Sequence, residues 1–399
     1  MDSPNASCEK ALSVVFLIGA LDVGGTERQL VELASRLDKR RFSVVIYCLT
    51  SFGPLADEAR KRGVDVRSAG LGGLRPWTQP LRLTRRIVRM VRELRRLEPD
   101  ILHAFLFHAY TIGAFLSPLL RVRAFVSSRR SLGHFKASRP AALLIERAAN
   151  HFATVVVANS EAVKRDVMIR EGLEGEQVIV IHNGIDVTRF AGCRGVLVRQ
   201  EQFDVALSAP VVGVLANFIS YKGHECFLAA WHRVLAAYPD AVAMLIGDGR
   251  TRERVERLTD EMQLTGSVRF LGNRLDVPMV LAAIDILVHP SEQEGFSNAI
   301  LEGMAAGRPV IATDVGGNAE AVVHEETGLL VPSGDPAALA AAIERLFAHP
   351  ELARAFGAAG RERVEREFGM DRMTSAYERL YVDVLRKNAP PATASQMPA

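Results

Sequence analysis

The chain has 399 residues, more than a single hydrophobic core usually fills, so two domains are expected. It is 48% hydrophobic and 24% charged, the balance of a soluble globular protein, and no run of about 18 apolar residues marks a spanning helix. Its net charge of +3 is uneven: residues 1–190 carry 29 Lys and Arg against 19 Asp and Glu, the remainder 20 against 27, so the first half is suited to an anionic partner.

Lys10 followed by "ALSVVFLIGAL" has the outline of a weak signal peptide. The following "DVGGTERQLVELASRL" reads instead as a glycine turn opening a helix, which makes the apolar run a buried first strand. Further strands are expected at "FSVVIYCLT", "VDVRSAGL", "DILHAFLF", "AFVSS", "TVVVANS" and "VIVIHNGI". A second set follows at "PVVGVLANF", "AVAMLIGDG", "VRFLG", "DILVHPS", "PVIATDVGG" and "GLLVP". These runs are rich in Val and Ile without strict alternation, as strands covered on both faces are, and helical stretches separate most of them. The pattern occurs twice. It predicts two Rossmann-like, doubly wound α/β domains, residues 1–189 and 190–371, facing each other across a ligand cleft. A last helix at about 372–388 completes the first domain, and residues 389–399 read as a disordered tail. Four cysteines, Cys8, Cys48, Cys193 and Cys226, lack CxxC spacing, which argues against a zinc knuckle or a disulfide framework and fits a reducing compartment.

The segment "PLRLTRRIVRMVRELRRLEP" is the most basic. At about 100° per residue, Arg82, Arg85, Arg86, Arg89, Arg92 and Arg96 share one stripe. Leu83, Ile87, Met90, Val91, Leu94 and Leu97 fall on the other side, where they are expected to pack on the first-domain sheet. The stripe suits anionic lipid. Nucleic acid fits less well, because no aromatic interleaves the arginines.

The stretch "EQEGFSNAILEGMAAGRPVIATDVGG", Glu292 to Gly317, carries the strongest chemical signal. A helix is expected over "NAILEGMAA", capped by Ser297 or Asn298 and stopped by Gly307 with Pro309 beyond. Its first N–H groups lack intrahelical partners and carry the positive end of the helix dipole, a place for phosphate. Glu294 precedes the helix and Glu302 lies about one turn inside; each carboxylate can accept from a pair of hydroxyls. Phosphate flanked by polyols describes a nucleotide-sugar. Gly24-Gly25, between a strand and a helix, allows close backbone approach to a diphosphate. Lys222, after another strand end in "SYKGHE", can reach phosphate oxygens. Each of these features alone also suits an ordinary cap, turn or solvated lysine.

Together they resemble the retaining GT-B glycosyltransferases of family four, over roughly residues 14 to 385. "GGTERQLVELA", "VVVANSEAVKRDV" and "VIVIHNGIDVTRF" are similar to that family's first domain. "SYKGHE", "LIGDGR", "VRFLGNRLDVP" and the acid–seven–acid string "EGFSNAILE" are similar to its donor-binding domain. The resemblance implies that Glu294 holds the donor-sugar hydroxyls and Glu302 the ribose. It implies that the N–H groups near Gly295, Phe296, Ser297 and Asn298 cradle the diphosphate with Lys222 and, on closure, Gly24 and Gly25. Gly272, Asn273 and Arg274 would lie against the base. Glu294 and Lys222 are the residues expected to bear on the chemistry. No protein nucleophile stands out, so front-face displacement is implied, with the leaving diphosphate helping to deprotonate the acceptor.

Two positions depart from the family pattern. Asn217 stands where the family often has an arginine about five residues before the lysine, and Ile219 does not replace it. The family's acceptor-loop histidine is absent from "SSRRSLGHF", where Arg129 or Arg130 lies near that place. His103 and His134 are further acceptor-side candidates. No DxD triplet occurs, so no metal or other cofactor is expected. The function implied is transfer of a hexose or N-acetylhexosamine from a nucleotide-sugar, UDP-linked by preference, to a glycan or lipid-linked acceptor. The expected setting is cytoplasmic, extending to the inner face of the plasma membrane. The alternatives are a GT-B sugar-nucleotide epimerase and a catalytically silent nucleotide-sugar-binding scaffold.

Overall fold

The computed structural model describes residues 10–73, 79–133, 139–191, 199 and 201–387; His134, Cys8, Cys193 and the 389–399 tail lie outside them. Each of the thirteen apolar runs contains a strand, and the strands form two wholly parallel sheets. Both are doubly wound α/β layers, as the sequence implied.

The first unit comprises the chain to Asn159, Lys164–Ile181 and everything from Met373. Its strands are β1 (Leu12–Ile18), β2 (Phe42–Cys48), β3 (Asp65–Ser68), β4 (Ile101–Phe105), β5 (Ala124–Arg129), β6 (Val155–Ala158) and β7 (Val178–Val180), in the order β3-β2-β1-β4-β5-β6-β7. The helices are α1 (Gly25–Arg36), α2 (Leu55–Lys61), α3 (Pro80–Arg96), α4 (Phe107–Leu120), α5 (Pro140–Asn150) and α6 (Glu161–Glu171). Successive residues of β1 serve opposite faces. Val15 and Leu17 enter one apolar core with Tyr47, Met90 and Leu94. Phe16 points the other way, into an aromatic group with His103, Phe105 and Tyr381. Of the six residues expected to pack inward, Met90 and Leu94 are buried in that core and Val91 and Leu97 pack against it half-buried; Ile87 is exposed, because the packed strip of this helix is narrower than its apolar side.

Two acceptor-side candidates turn out to be structural. His103 is fully buried at the centre of β4, its Nδ1 2.7 Å from the Tyr381 hydroxyl and its Nε2 2.8 Å from Ser128 Oγ. Burial, aided by the Arg130 charge, pushes its pKa well below the ordinary histidine value, so it is a neutral core group. Arg129 is also buried, under the Tyr110 ring. It donates to Glu171, Ser127 and Asn150 and pairs with Glu146. An arginine whose donors serve two buried carboxylates is not available to an acceptor.

The second unit comprises Ser160–Val163 and His182–Arg372. It begins at His182, before the expected boundary near 190. The reason is local: Asn183 donates to the Phe296 carbonyl and to Asn298 Oδ1, and Ile185 exchanges backbone bonds with Phe368 and Met370. Its strands are β8 (Val211–Leu215), β9 (Val242–Ile246), β10 (Val268–Gly272), β11 (Ile286–His289), β12 (Val310–Thr313) and β13 (Gly328–Val331), ordered β10-β9-β8-β11-β12-β13. The helices are α7 (His224–Ala237), α8 (Arg252–Glu261), α9 (Val277–Ala283), α10 (Asn298–Ala305), α11 (Asn318–Ala321), α12 (Pro336–Ala348) and α13 (Pro350–Glu367). Met244, Ile246 and Leu287 face one core, Ala243, Leu245, Ile286 and Val288 the other, so the sheet is sealed on both faces. The last helix, α14 (Met370–Lys387), brings Tyr377 and Tyr381 to the first unit.

Removing Arg129 strands Glu146 and Glu171 in the core. Arg129→Ala is expected to lose about 3–5 kcal/mol of stability in urea denaturation. A variant as stable as the parent would return Arg129 to the acceptor-side candidates.

Candidate functional site

In both sheets the connections diverge at one point, between β1 and β4 and between β8 and β11. Strands on either side of that point send their following segments to opposite faces, which leaves a crevice at their carboxyl ends. In the second unit, β8 leads into the loop with Asn217 and Lys222, and β11 into the loop with Glu294. The two loops are fastened together. The Glu292 N–H donates to the Tyr221 carbonyl at 2.8 Å. Gly223, with φ +71°, passes so near that a Cβ would lie 1.9 Å from the Pro290 carbonyl oxygen, so only glycine fits. A third loop, after β12, joins them: the Gly317 N–H reaches the Glu294 carbonyl at 3.4 Å, and a Cβ at Gly317 would stand 2.1 Å from the Gly295 oxygen.

These constraints bring two charges together. Lys222 Nζ lies 2.5 Å from Glu294 Oε2, and both side chains are mostly buried. His289, the last residue of β11, places Nε2 2.9 Å from the same oxygen. Burial alone would raise the Glu294 pKa; the Lys222 charge and the His289 hydrogen bond outweigh it and bring it down to about 2. Burial lowers the pKa of His289, with its bond to Glu294 opposing. His224 stacks on Phe218, 4.2 Å between centroids, and burial together with Lys222 and His289 takes it down to about 4. His289 Nδ1 and His224 Nε2 are buried without hydrogen-bond partners, so two polar atoms beside the ion pair are unspent. Both histidines escaped sequence reading: His289 is the end of an apolar strand, and His224 is the first residue of α7, behind the more conspicuous Lys222 and Gly223.

Ser297, not Asn298, caps α10, its Oγ accepting from the Ile300 N–H. Asn298 is the first helical residue, tied to Asn183 at 2.7 Å. The helix ends in a paired carbonyl lock: Gly307 at φ +68° donates to Met304, and Arg308 to Gly303. Phe296 is buried between the rings of His182 and Phe368, which fixes the backbone at the helix entrance. Glu302 is half-buried one turn into α10. Glu294, Gly295, Phe296, Ser297, Asn298, Glu302 and Lys222 thus gather at one helix N-terminus.

The remaining candidates stand apart. Asn217 is exposed at the start of its loop. The next residue, Phe218, exchanges backbone bonds with Asp248 and Thr251, which clamps the Gly247–Arg250 turn beside it. The Gly272 carbonyl accepts from Gly247, Asn273 is exposed, and Arg274 forks onto Asp276 at 2.5 and 2.8 Å. In the first unit, Gly24 precedes α1 and Gly25 is its first residue, but the Glu27 carboxylate already lies over Gly24. Burial raises the Glu27 pKa, opposed by its own backbone N–H and by Arg130. Arg130 is partly buried, 3.5 Å from the Tyr377 hydroxyl.

Residues 23–189 match the family model described as Glycosyltransferase Family 4, and residues 209–349 the model described as Glycosyl transferases group 1. The chain belongs to the glycosyltransferases. One relative in this group is the lipopolysaccharide core biosynthesis glycosyltransferase LpsE of Rhizobium meliloti, 33% identical over 49% of this chain and 56% of that protein. A D-inositol 3-phosphate glycosyltransferase of Streptomyces bingchenggensis is 26% identical over 92% of this chain and 86% of its own length. The chain spans about half the length of several curated relatives that it matches at higher identity. The crystal structure of Anabaena HepE in complex with UDP and glucose matches with a TM-score of 0.83 at 23% identity, covering 93% of this chain and 99% of that one. That likeness is one of fold, the two parallel-sheet α/β domains of GT-B glycosyltransferases. Among the described residues of this glycosyltransferase-family chain, no helix is long and apolar enough to cross a membrane.

The depressed Glu294 pKa sets a pH window. Its contribution, on the order of 3 kcal/mol, is complete above the unfolded carboxyl value and is lost as pH falls toward 2. His224 acts in the same direction, since a histidine held neutral must take up a proton as pH drops from 6.5 through about 4. Thermal melts of the parent and Glu294→Gln are expected to differ most near neutrality and to converge in acid. A pH-independent gap would remove the Lys222–Glu294 pair as its cause.

Proposed function

We propose that this chain transfers a hexose or N-acetylhexosamine from a nucleotide-sugar, UDP-linked, to a glycan or lipid-linked saccharide. The transfer retains anomeric configuration, takes place in the cytoplasm and serves cell-surface polysaccharide or glycolipid assembly. The observation that carries this reading is the Lys222–Glu294 pair at the entrance of α10. Family membership and the UDP and glucose described for HepE support the donor class.

In this mechanism the diphosphate settles on the N–H groups of Phe296, Ser297 and Asn298 and draws the Lys222 ammonium toward itself. Glu294 is then released to accept from donor-sugar hydroxyls while His289 still holds its other side. Glu302, one turn deeper, accepts from the ribose. The Arg274 guanidinium is engaged by Asp276, so contact with the base falls to the backbone of Gly272 and Asn273. The acceptor attacks on the face the diphosphate leaves, and the departing phosphate takes its proton. Lys222 and the helix N-terminus stabilise the developing charge, the task a divalent ion performs in other solutions to this chemistry.

Calorimetric titration with UDP- and GDP-sugars in the presence of a chelator tests this. One donor class is expected to bind, and Glu302→Ala to weaken it by about 1–3 kcal/mol. Folded protein that binds no nucleotide-sugar would overturn the proposal. Binding without hydrolysis or transfer across a panel of acceptors would favour the scaffold reading, and an epimerised donor the epimerase.

A further inference from the structure

One carboxylate oxygen in the second unit carries two donors. Lys222 Nζ and His289 Nε2 both approach Glu294 Oε2, at 2.5 and 2.9 Å. The carboxylate accepts both bonds, so the hydrogen of the neutral His289 ring is on Nε2. Its Nδ1 is then a bare nitrogen, buried without a partner, and the side chain is 2% exposed.

The charges around this ring balance in the free protein. Among the described residues, four titratable groups surround it. They are Glu294 from its own loop, Lys222 from the loop after β8, His224 from the first turn of α7, and Glu302 one turn inside α10, the helix packed on β11. β8 and β12, the neighbours of β11 in the sheet, carry no titratable residue. Burial, with Lys222 adding to it, holds His289 below the ordinary histidine value against the pull of Glu294. His224 is also neutral, taken down to about 4 chiefly by burial. Lys222 is thus the charge that answers Glu294.

A diphosphate that draws Lys222 away upsets this balance. Glu294 then keeps its charge almost out of water, and sugar hydroxyls satisfy its lone pairs without neutralising it. The repulsion between Lys222 and an imidazolium weakens at the same time, and the diphosphate adds negative charge. Each change favours a proton on His289 Nδ1. A proton on Glu294 instead would turn an acceptor of sugar hydroxyls into a donor, which those hydroxyls oppose.

We infer that His289 takes up one proton from solvent as the donor binds, and that its imidazolium replaces Lys222 as the counter-charge of Glu294. His289 is a positioning residue in the donor site proposed above, on which this role rests: it acts on the sugar through Glu294. Because binding takes up a proton, donor affinity falls as pH rises between the free and donor-bound pKa values of His289, by up to about tenfold per pH unit.

Calorimetric titration of the full chain with UDP-glucose near neutral pH, in two buffers of different ionisation heat, counts the protons. A nucleotide-sugar suits the count, because its diphosphate has no proton that titrates near neutrality. Uptake approaching about one proton is expected for the parent. None is expected for His289→Gln, whose amide keeps a donor toward Glu294 but cannot take a charge. Equal heats in both buffers, or uptake that survives in His289→Gln, would overturn the inference and leave the donor site standing. A second test needs no ligand. Lys222→Met removes the ammonium, and the His289 ring, identified in nitrogen-15 NMR spectra by its loss in His289→Gln, is expected to titrate about one pH unit or more higher than in the parent. A His289 that does not move would also overturn the inference. Folded protein that binds no UDP-glucose while His289 moves in Lys222→Met would instead count against the donor, with the charge exchange upheld.

Discussion

Two opposite charges, held 2.5 Å apart and largely out of water, govern the second unit. A lone lysine or glutamate at that depth would cost several kcal/mol. The loops after β8, β11 and β12 are built so that neither is alone. Gly223 and Gly317 remove the side chains that would keep those loops apart, His289 supplies the second bond to Glu294, and Ser297 starts α10 beside it. The pair neutralises both groups in the free protein. An anion that competed for Lys222 would change the partner of Glu294 at the same time, so under the proposed function phosphate recognition and hydroxyl recognition would be coupled through one contact.

Much of this could be read from sequence. Thirteen Val- and Ile-rich runs became thirteen parallel strands, because a strand covered on both faces needs continuous apolar residues and little else forms them at that length. The helix after Glu294 was legible from its serine cap and its Gly-Arg-Pro stop, and both behaved as their backbone chemistry requires. The grouping of Lys222 with Glu294 came from the family resemblance, and the topology accounts for it, since both follow neighbouring strands.

What stayed hidden depended on direction. Arg129 and Arg130 are adjacent at the end of one strand, and strand parity turns them to opposite sides: Arg129 with Ser127, Arg130 with the Tyr377 that lies near Ser128 and His103. Sequence spacing says that they diverge, not which one meets Glu146 and Glu171. His224 and His289 were invisible for a similar reason. An isolated histidine reads as core, and these two are core by burial, yet they surround the ion pair. The exposure of Ile87 was hidden in the same way, since amphipathic spacing shows which residues can pack and not how wide the neighbour is.

The closing helix has a consequence for how the molecule is made. Tyr381 completes the core of a sheet whose first strand begins at Leu12, and its hydroxyl bonds to His103 across 278 positions of chain. During synthesis the aromatic side of the first sheet therefore stays uncovered while the whole second unit emerges, and closes only when the last helix is released. The first unit has no continuous stretch of gene that encodes it. A fragment ending near Ile181 would lack Tyr377 and Tyr381 and expose Phe16, Phe42 and Phe105, so expressing this half alone requires joining α14 to it.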